Sequence, residues 1–210
     1  MDEKYPKFES IPRLNRNFVI SEKIDGTNGL IEVVRDTLTK EPVEKSFYSK
    51  TDGRIYVSRE GVNYEVRAGS RSRWLTDSRD NFGFWQWVKA NAVELTKLGQ
   101  GRHYGEWYGK GIQRGYGLDE KRFMLFNSDR WSDDAERPEC CEVATVLARS
   151  SNNLTMHVER TIADLKLRGS AHVPGFTNPE GVVVYHTAAR QYFKVTVEGD
   201  EVPKTLRAVA

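Results

Sequence analysis

Long apolar runs and cysteines are both scarce in this chain of 210 residues. No stretch approaches the ~20 apolar residues that a transmembrane helix needs, and the amino terminus lacks a signal-peptide pattern. We therefore expect no membrane contact and a cytoplasmic location, which would be the host cytoplasm for a phage-encoded chain. The two cysteines, Cys140 and Cys141, are adjacent, a geometry unsuited to a disulfide bond. This excludes a disulfide framework and fits a reducing compartment.

Net charge is also nearly absent, because 32 basic residues face 30 acidic ones and leave +2. A chain so balanced has no general attraction to nucleic acid, so any such binding must come from a local patch. Hydrophobic residues make up 38%, which is enough for a core at this length. The length predicts a single domain over residues 1–210, with residues 1–17 as a polar lead-in.

Short runs rich in β-branched and aromatic residues dominate the pattern and predict strands. The first two, at 18–20 and 30–34, are predicted to form a hairpin, with a turn following at 36–42. The last two strands of the chain are predicted to form a second hairpin. Apolar residues at three- and four-residue steps predict a helix over 81–98, and two more helices are expected. The fold class is therefore α+β, dominated by antiparallel sheet. The remaining predicted strands are 47–48, 54–57, 62–68, 103–108, 121–127, 180–186 and 192–197, and the remaining helices are 139–150 and 158–168.

Lys23 stands between the first two strands, in the run EKIDGTN at residues 22–28. Glycines there let the backbone approach a ligand, and Thr27 and Asn28 add hydrogen-bonding groups. A lysine among such groups can be a nucleophile when burial or a second cation lowers its pKa. The alternative is a polar hairpin with an exposed lysine.

Four further charges lie in or beside apolar strands, where a charge is costly unless it is paired or functional. Any one of them alone is best explained as a structural ion pair. Their order along the chain, after a Lys-x-Asp-Gly run, is harder to attribute to chance. The four residues are Arg71, Glu106, Glu180 and Lys194.

This set of motifs resembles that of the covalent nucleotidyltransferases, which comprise ATP-dependent RNA and DNA ligases and mRNA capping enzymes. It is most similar to the phage-type RNA ligase 2 group, and the resemblance runs from Val19 to about Val197. The resemblance implies a fold of two packed antiparallel sheets with flanking helices and a nucleotide groove between them. It also implies ATP and Mg²⁺ or Mn²⁺ as cofactors.

The resemblance carries a role to each matching residue. It implies that Lys23 takes AMP, that Arg71 contacts the phosphates and ribose, and that Glu106 binds the ribose hydroxyls. Phe126 is expected to stack on adenine. Lys194 matches the fifth motif. The other residues of the first motif expected to bind the nucleotide are Glu22, Thr27 and Asn28.

The chemistry explains these residue types. Lys23 as a neutral amine would attack the α-phosphorus of ATP, while Arg71, Lys194 and a metal offset phosphate charge. Glu180 is expected to organise the metal, through water, since Mg²⁺ keeps much of its hydration. Asp25 could orient Lys23 or the polar groups near it, so the predicted catalytic set is Lys23, Asp25, Glu180 and Lys194.

The partners expected are RNA or DNA ends or nicks. Phosphate contacts from Arg73, Lys110 and Arg114 are predicted to hold the polynucleotide, although simple solvation explains Lys110 and Arg114 equally well. A minimal DNA ligase and a non-sealing nucleotide-binding module are the alternatives to an RNA ligase.

The sequence departs from the family pattern at three points. Asn127 replaces the usual Asp, and Thr196 replaces a second lysine. No OB-fold or helical domain is expected after Lys194, so a separate protein is considered as the source of substrate affinity. With phosphate contacts alone, nick binding is expected to be weak and salt-sensitive.

Overall fold

The structure is a computed structural model that describes residues 10–37, 41–44, 46–134 and 136–198. These residues form two sheets and a few helices, and they divide into two compact units. The first unit holds the described residues of 10–23, 146–171 and 177–198, and the second holds those of 24–145 and 172–176. The predicted α+β class, rich in strands, is confirmed.

The eleven strands of the described residues are β1 (Phe18–Lys23), β2 (Thr27–Arg35), β3 (Phe47–Tyr48), β4 (Ile55–Arg59), β5 (Val62–Gly69), β6 (Gly101–Gly109), β7 (Lys121–Leu125), β8 (Cys141–Val143), β9 (Val146–Ser150), β10 (Gly181–His186) and β11 (Gln191–Thr196). The helices are α1 (Phe84–Ala90), α2 (Ala92–Leu95), α3 (Ser128–Trp131) and α4 (Leu154–Arg168), and a 3₁₀ turn spans Thr96–Leu98. None of the described helices is both long and apolar enough to cross a membrane.

The first unit is a four-stranded antiparallel sheet in the order β11-β10-β1-β9. Alternate residues of β1 are buried, as expected for a strand with one face on a core. Helix α4 contributes Leu165 to that core, where it joins Phe18, Ile20, Val182 and Val184. Lys23, at the end of β1, therefore belongs to the opposite face of this sheet.

The second unit is a seven-stranded sheet in the order β3-β4-β5-β2-β6-β7-β8. Its pairs are antiparallel except for β7 and β8, which run parallel. Helix α1 buries Phe84, Trp85 and Val88 completely in the core of this unit. The carboxylate of Asp80 caps the start of that helix by accepting the backbone N–H groups of Trp85 (2.7 Å) and Gln86 (3.3 Å).

The predicted hairpin at 18–34 is wrong, because β1 and β2 belong to different sheets. β1 pairs with β9 and β10, whereas β2 pairs with β5 and β6. Local pattern identified both strands correctly but does not specify long-range partners. The hairpin predicted from the last two strands is confirmed by the antiparallel pairing of β10 with β11.

The helix predicted over 139–150 is also wrong, since this segment forms β8 and β9. Cys141 pairs in parallel with Phe123, and Ala148 pairs with Ile20. Pairing with strands distant in sequence overrides the helical pattern.

The helix predicted over 81–98 is shorter and broken. It starts at Phe84, and the side chain of Asn91 donates to the Trp87 carbonyl (2.8 Å) at the break between α1 and α2. Phe82, the first residue of the predicted apolar face, is exposed. The other four residues of that face are buried, and they are Trp85, Val88, Ala92 and Leu95.

The remaining elements were located from sequence to within a few residues. The helix predicted at 158–168 begins earlier, at Leu154, and the strand predicted at 121–127 ends at Leu125. Within the turn predicted at 36–42, residues 38–40 lie outside the described residues. Both cysteines are free thiols, as expected.

Candidate active site

Lys23 is the last residue of β1, and its Nζ lies 2.7 Å from Oε2 of Glu180. Glu180 immediately precedes β10, and Lys23 pairs in register with Gly181, which brings the two side chains together. The exposed fractions of the two side chains are 23% and 15%. This partly buried contact fixes the direction of the Lys23 amine.

Two predicted residues, Lys23 and Lys194, share one face of this four-stranded sheet. Lys23 and Ser21 are two residues apart on β1, Ser21 pairs with Val183, and Val183 pairs with Lys194. Directly paired residues point to the same side of a sheet. Lys194, which is exposed, therefore lies on the face of Lys23, opposite the core packed by α4.

Gly181 lies between Lys23 on β1 and Thr196 on β11, to both of which it is paired. A Cβ at position 181 would be 2.2 Å from the Val195 carbonyl oxygen, so only glycine fits without displacing β11. Thr196, which replaces the family's second lysine, thus occupies the same row as Lys23 with no side chain between them.

Glu22 lies on the core side of β1 and is 1% exposed. Its Oε2 accepts the backbone N–H of Ala171 at 2.8 Å. Glu22, predicted from sequence as a nucleotide contact, therefore points to the opposite face of the sheet from Lys23.

Glu106 and Asn28 lie side by side in the second unit, as paired residues of β6 and β2. Glu106 is 8% exposed, and its Oε1 accepts the backbone N–H of Gly26 at 3.1 Å. Gly26 is packed closely, because a Cβ there would lie 2.5 Å from the Trp107 carbonyl oxygen. Glu106 is thereby fixed against the connection that follows Lys23.

Asp25 is held by two residues of the loop that follows β6. Its carboxylate Oδ2 accepts a hydrogen bond from Nε of Arg114 at 3.1 Å. Its backbone N–H donates to the Tyr116 hydroxyl at 2.7 Å. Arg114, predicted from sequence as a polynucleotide contact, is therefore an ion-pair partner of Asp25 in the structure.

Phe126 follows the end of β7, where its N–H donates to the Tyr104 carbonyl at 3.0 Å. Its ring is 37% exposed, whereas Phe123 is fully buried in the core. The exposed ring of Phe126 is accessible to a nucleotide base. The next residue, Asn127, caps α3 by accepting the N–H of Arg130 at 3.1 Å.

Other predicted residues are placed differently. Thr27 accepts a hydrogen bond from Asn81 (3.1 Å) and pairs with Trp107, so it points to the core face of the sheet and away from Asn28. Arg71 and Lys110 are exposed. Arg73 is also exposed and donates to the carbonyl of Asp80 at 3.2 Å.

A polar network missed by sequence reasoning is centred on Glu142 in the second unit. Its Oε2 accepts the Tyr108 hydroxyl and lies 3.2 Å from Nε2 of His172, and its Oε1 accepts from Arg122 at 3.2 Å. Thr145 hydrogen-bonds the other ring nitrogen of His172 at 2.8 Å. The contributing residues are far apart in sequence, so no local signal could have identified the network.

The network shifts two pKa values. Burial raises the pKa of the Glu142 carboxyl, but hydrogen bonds from His172 and Tyr108 outweigh this effect, and the pKa lies below its ordinary value of 4.5. Burial, reinforced by the bond to Glu142, raises the pKa of Tyr108. Tyr108 packs closely on Gly26, because a Cβ built at Gly26 would lie 2.8 Å from the Cβ of Tyr108. The network therefore supports the segment that follows Lys23.

The depressed pKa of Glu142 predicts acid sensitivity. The folded state binds the proton less tightly than the unfolded state, so the stabilisation is present above pH ~4.5 and is lost as the pH falls through the folded-state value. The loss of unfolding free energy between pH 7 and pH 3.5, measured by urea titration, should be smaller in Glu142→Gln than in the wild type. Glu159→Gln, an exposed change on α4, serves as the control and should follow the wild type. Equal losses in all three proteins would contradict the prediction.

The sequence matches the RNA ligase family over residues 16–196. The chain belongs to the RNA ligase family. A comparison with curated proteins gives no match.

Solved structures of RNA ligase from Naegleria gruberi are similar in fold to this RNA ligase family member. A variant with ATP and Mn aligns with a TM-score of 0.56 and 16% identity over 88% of this chain and 50% of that one. Another variant, without ligand, gives 0.55 and 17%, and one with AMP and Mn gives 0.53 and 16%, with the same coverage. At this identity the likeness shows the fold alone. The chain spans about half the length of these ligases.

Proposed function

We propose that this chain is an ATP-dependent RNA ligase that forms a covalent lysyl-AMP on Lys23. The observation that carries the proposal is the 2.7 Å contact between Lys23 and Glu180 on the sheet face that also bears Lys194. A nucleophile, a carboxylate and a second cation on adjacent strands are the groups that attack on a phosphate requires. Membership of the RNA ligase family points to RNA ends as the substrate.

The first step joins Lys23 to AMP. The Lys23 Nζ gives a proton to solvent and attacks the α-phosphorus. A P–N bond forms, the bond between the α-phosphorus and the bridging oxygen breaks, and pyrophosphate leaves. In the structure the amine is held by Glu180, so attack requires Glu180 to release it. Lys194 on the same face would offset the negative charge of the phosphates.

Glu180 is also the residue that fits a divalent metal. Among the described residues, no three His, Cys, Asp or Glu side chains converge to form a metal cage. A single carboxylate suits Mg²⁺ or Mn²⁺ that keeps several waters and is shared with substrate phosphates. The metal would supply Lewis-acid stabilisation of the phosphate charge. The Naegleria gruberi structures with ATP, AMP and Mn support this choice of cofactors.

The ribose and the base are each assigned to a carboxylate. Glu106 would accept hydrogen bonds from the ribose hydroxyls, with exposed Asn28 beside it. The buried carboxylate of Glu22 would accept from the adenine amino group. Arg71, exposed in the loop after β5, is assigned to the phosphates.

Two further steps complete the reaction. An oxygen of the RNA 5′-phosphate attacks the AMP phosphorus and breaks the P–N bond, which restores Lys23. A 3′-hydroxyl then attacks the activated 5′-phosphate, a phosphodiester forms, and AMP leaves. Exposed Arg73 and Lys110 are assigned to RNA phosphates.

The proposal is tested by incubating the protein with Mg²⁺ or Mn²⁺ and ATP labelled at the α-phosphate. Label should appear on the protein, and should pass to a 5′-phosphorylated nicked RNA duplex before the sealed product forms. Matched DNA strands serve as the comparison substrate. A protein that stays unlabelled under all metal conditions would overturn the proposal, and labelling without sealing of either polymer would restrict it to the first step.

Phe126 is predicted to stack on the adenine base. Phe126→Ala should weaken ATP binding by about 1–3 kcal/mol, the range for loss of one base-stacking contact, because its exposed ring lies just beyond the end of β7, the strand that pairs with the strand of Glu106. Binding is measured by calorimetry in a Lys23→Ala background, so that no covalent adduct forms. Tyr104→Ala, which removes the neighbouring exposed ring, is the matched control. A larger loss of affinity in the control would mean that Tyr104 carries the stacking.

A further inference from the structure

A row of large side chains crosses the seven-stranded sheet. Leu30 on β2 is paired with Tyr104 on β6 and with Gly69 on β5, and directly paired residues share a face. Phe126 continues the row past the end of β7, where its N–H donates to the Tyr104 carbonyl. Ile31, the residue next to Leu30, is buried in the core with helix α1. Because successive side chains of a strand alternate, the row lies on the opposite face of the sheet.

Trp74 supplies the far end of this row. It forms a bridge to Gly69, and a Cβ built at Gly69 would lie 3.3 Å from both the Trp74 ring and the Leu30 side chain. The missing side chain at Gly69 therefore lets Leu30 and Trp74 lie close to the backbone of β5. The guanidinium of Arg67 lies over the Trp74 ring, 4.2 Å from its centroid, in a cation–π contact. We refer to Phe126, Tyr104, Leu30 and Trp74 as the aromatic row.

The aromatic row is open to solvent. Tyr104 is 55% exposed and Phe126 is exposed beside it, while Leu30 and Trp74 are half-buried. Large side chains that lie together at the surface mark an interaction site. Rings on the open face of a sheet suit nucleic acid bases, because each ring can stack on the face of a base whatever the sequence.

Arginines border the aromatic row. Glu32, two residues from Leu30 on β2, is paired with Arg67 and with Arg102, so these three residues form the next row on the same face. Arg102 donates to Glu32 at 2.8 Å. The Nε of Arg67 has no hydrogen-bond partner among the described residues. Two positive charges therefore face one negative charge, and the excess suits the phosphates of a polynucleotide.

The combination of rings and arginines favours an unpaired strand over a duplex. A base can lie on a side-chain ring only when one of its faces is free, and the bases inside a duplex are stacked on both faces. Proteins that bind single strands combine aromatic platforms with cations that follow the backbone. The aromatic row also continues the proposed nucleotide site, because Phe126 at its end is assigned to the adenine of ATP.

We propose that the aromatic row binds an unpaired segment of RNA, with Tyr104 and Trp74 stacked on bases and Arg67 and Arg102 in contact with phosphates. The inference rests on the proposed function for its place in ligation, and it specifies the substrate of that function. The RNA would carry unpaired bases near the end that is joined, so a fully paired nick would leave the row unused.

The test measures the binding of a short, fluorescein-labelled single-stranded RNA by fluorescence anisotropy, without ATP or metal. Tyr104→Ala should raise the Kd about tenfold, as expected for the loss of one stacked base. Tyr104→Phe keeps the ring and should bind like the wild type. Phe193→Ala is the matched control, because it removes a ring of similar exposure from the α4 side of the four-stranded sheet. It should leave the Kd unchanged.

The arginines are tested through the salt dependence of the same binding. Arg67→Gln should lower the slope of log Kd against log salt by about 0.7, the value for one phosphate contact to a single strand. Arg160→Gln removes an exposed arginine from α4 and should keep the wild-type slope. An unchanged slope in Arg67→Gln would remove Arg67 from the proposed surface.

Photocrosslinking locates the bound strand directly. The single-stranded RNA is made with 5-iodouridine, irradiated in complex with the wild-type protein, and the crosslinked peptides are identified by mass spectrometry. Crosslinks should fall on Tyr104 or Trp74. Crosslinks found only outside the aromatic row would overturn the inference and leave the row to a protein partner.

The remaining outcomes separate this inference from the proposed function. An unchanged Kd in Tyr104→Ala, an equal loss in Tyr104→Phe, or the same loss for a blunt RNA duplex would each overturn the inference. Adenylation and sealing could then continue, and the proposed function would stand. Ring-dependent binding of single-stranded RNA by a protein that never forms lysyl-AMP would overturn the proposed function and leave the aromatic row as an RNA-binding surface.

Discussion

Lys23→Ala should abolish the covalent AMP adduct completely. The substitution removes the only group assigned to attack the α-phosphorus, and Glu180, its ion-pair partner, has no nucleophilic role to replace it. The adduct is measured by intact-protein mass spectrometry after incubation with ATP and Mn²⁺, and its position by peptide mapping. Sealing of RNA should be lost with it.

Lys194→Ala is the matched control, because Lys194 lies on the same face of the same sheet. It should slow formation of the adduct without moving it from Lys23, since Lys194 is assigned to phosphate binding. An adduct that persists in Lys23→Ala, on Lys194 or any other lysine, would refute the assignment of the nucleophile. Sealing of a pre-adenylated RNA by Lys23→Ala would remain compatible with it, because that step does not use the lysine.

Glu180→Gln should lower the rate of adenylation by about 100-fold or more, the usual loss when one preorganised electrostatic group is removed from a reaction centre. Glutamine keeps the size of the side chain and can still hydrogen-bond Lys23, but it carries no charge to attract a metal. The rate is measured in single-turnover reactions over a series of Mn²⁺ concentrations. Part of the loss should be recovered at high metal concentration.

The control for this change is Glu159→Gln, which removes an exposed carboxylate from α4. It should adenylate at the wild-type rate at every metal concentration. If Glu180→Gln also keeps a rate close to that of the wild type, the metal is organised elsewhere. A thermal melt of both variants separates loss of chemistry from loss of the fold.

The sequence predicted the strands that carry the site because each is a short β-branched run with an unexpected charge. Glu180 precedes one Val-rich strand and Lys194 interrupts the next. The structure places Glu180 against Lys23 and Lys194 on the same face of the sheet. Strand pairing was less predictable. The hairpin expected at 18–34 failed because β1 finds its partners more than 120 residues away, at β9 and β10.

Contacts between distant side chains could not be predicted at all. Arg114 meets Asp25 across 89 positions of sequence, because the loop that follows β6 folds against Asp25. From the local sequence alone, a basic residue in a glycine-rich loop is expected to contact phosphate, and this is the role predicted for Arg114. The polar network around Glu142 has the same origin, since a tyrosine, a histidine and an arginine from separate elements converge on it.

Gly181 has a consequence for how variation in this family is interpreted. Any side chain there would strike the carbonyl of Val195 and push β11 from its place beside β10. Natural selection for a folded sheet alone would therefore preserve glycine at this position, even in a descendant that had lost its nucleophile. An invariant glycine beside Glu180 would then reflect the close spacing of β10 and β11. A mutational scan scored only on protein abundance should therefore tolerate change at position 181 as poorly as a scan scored on joined RNA.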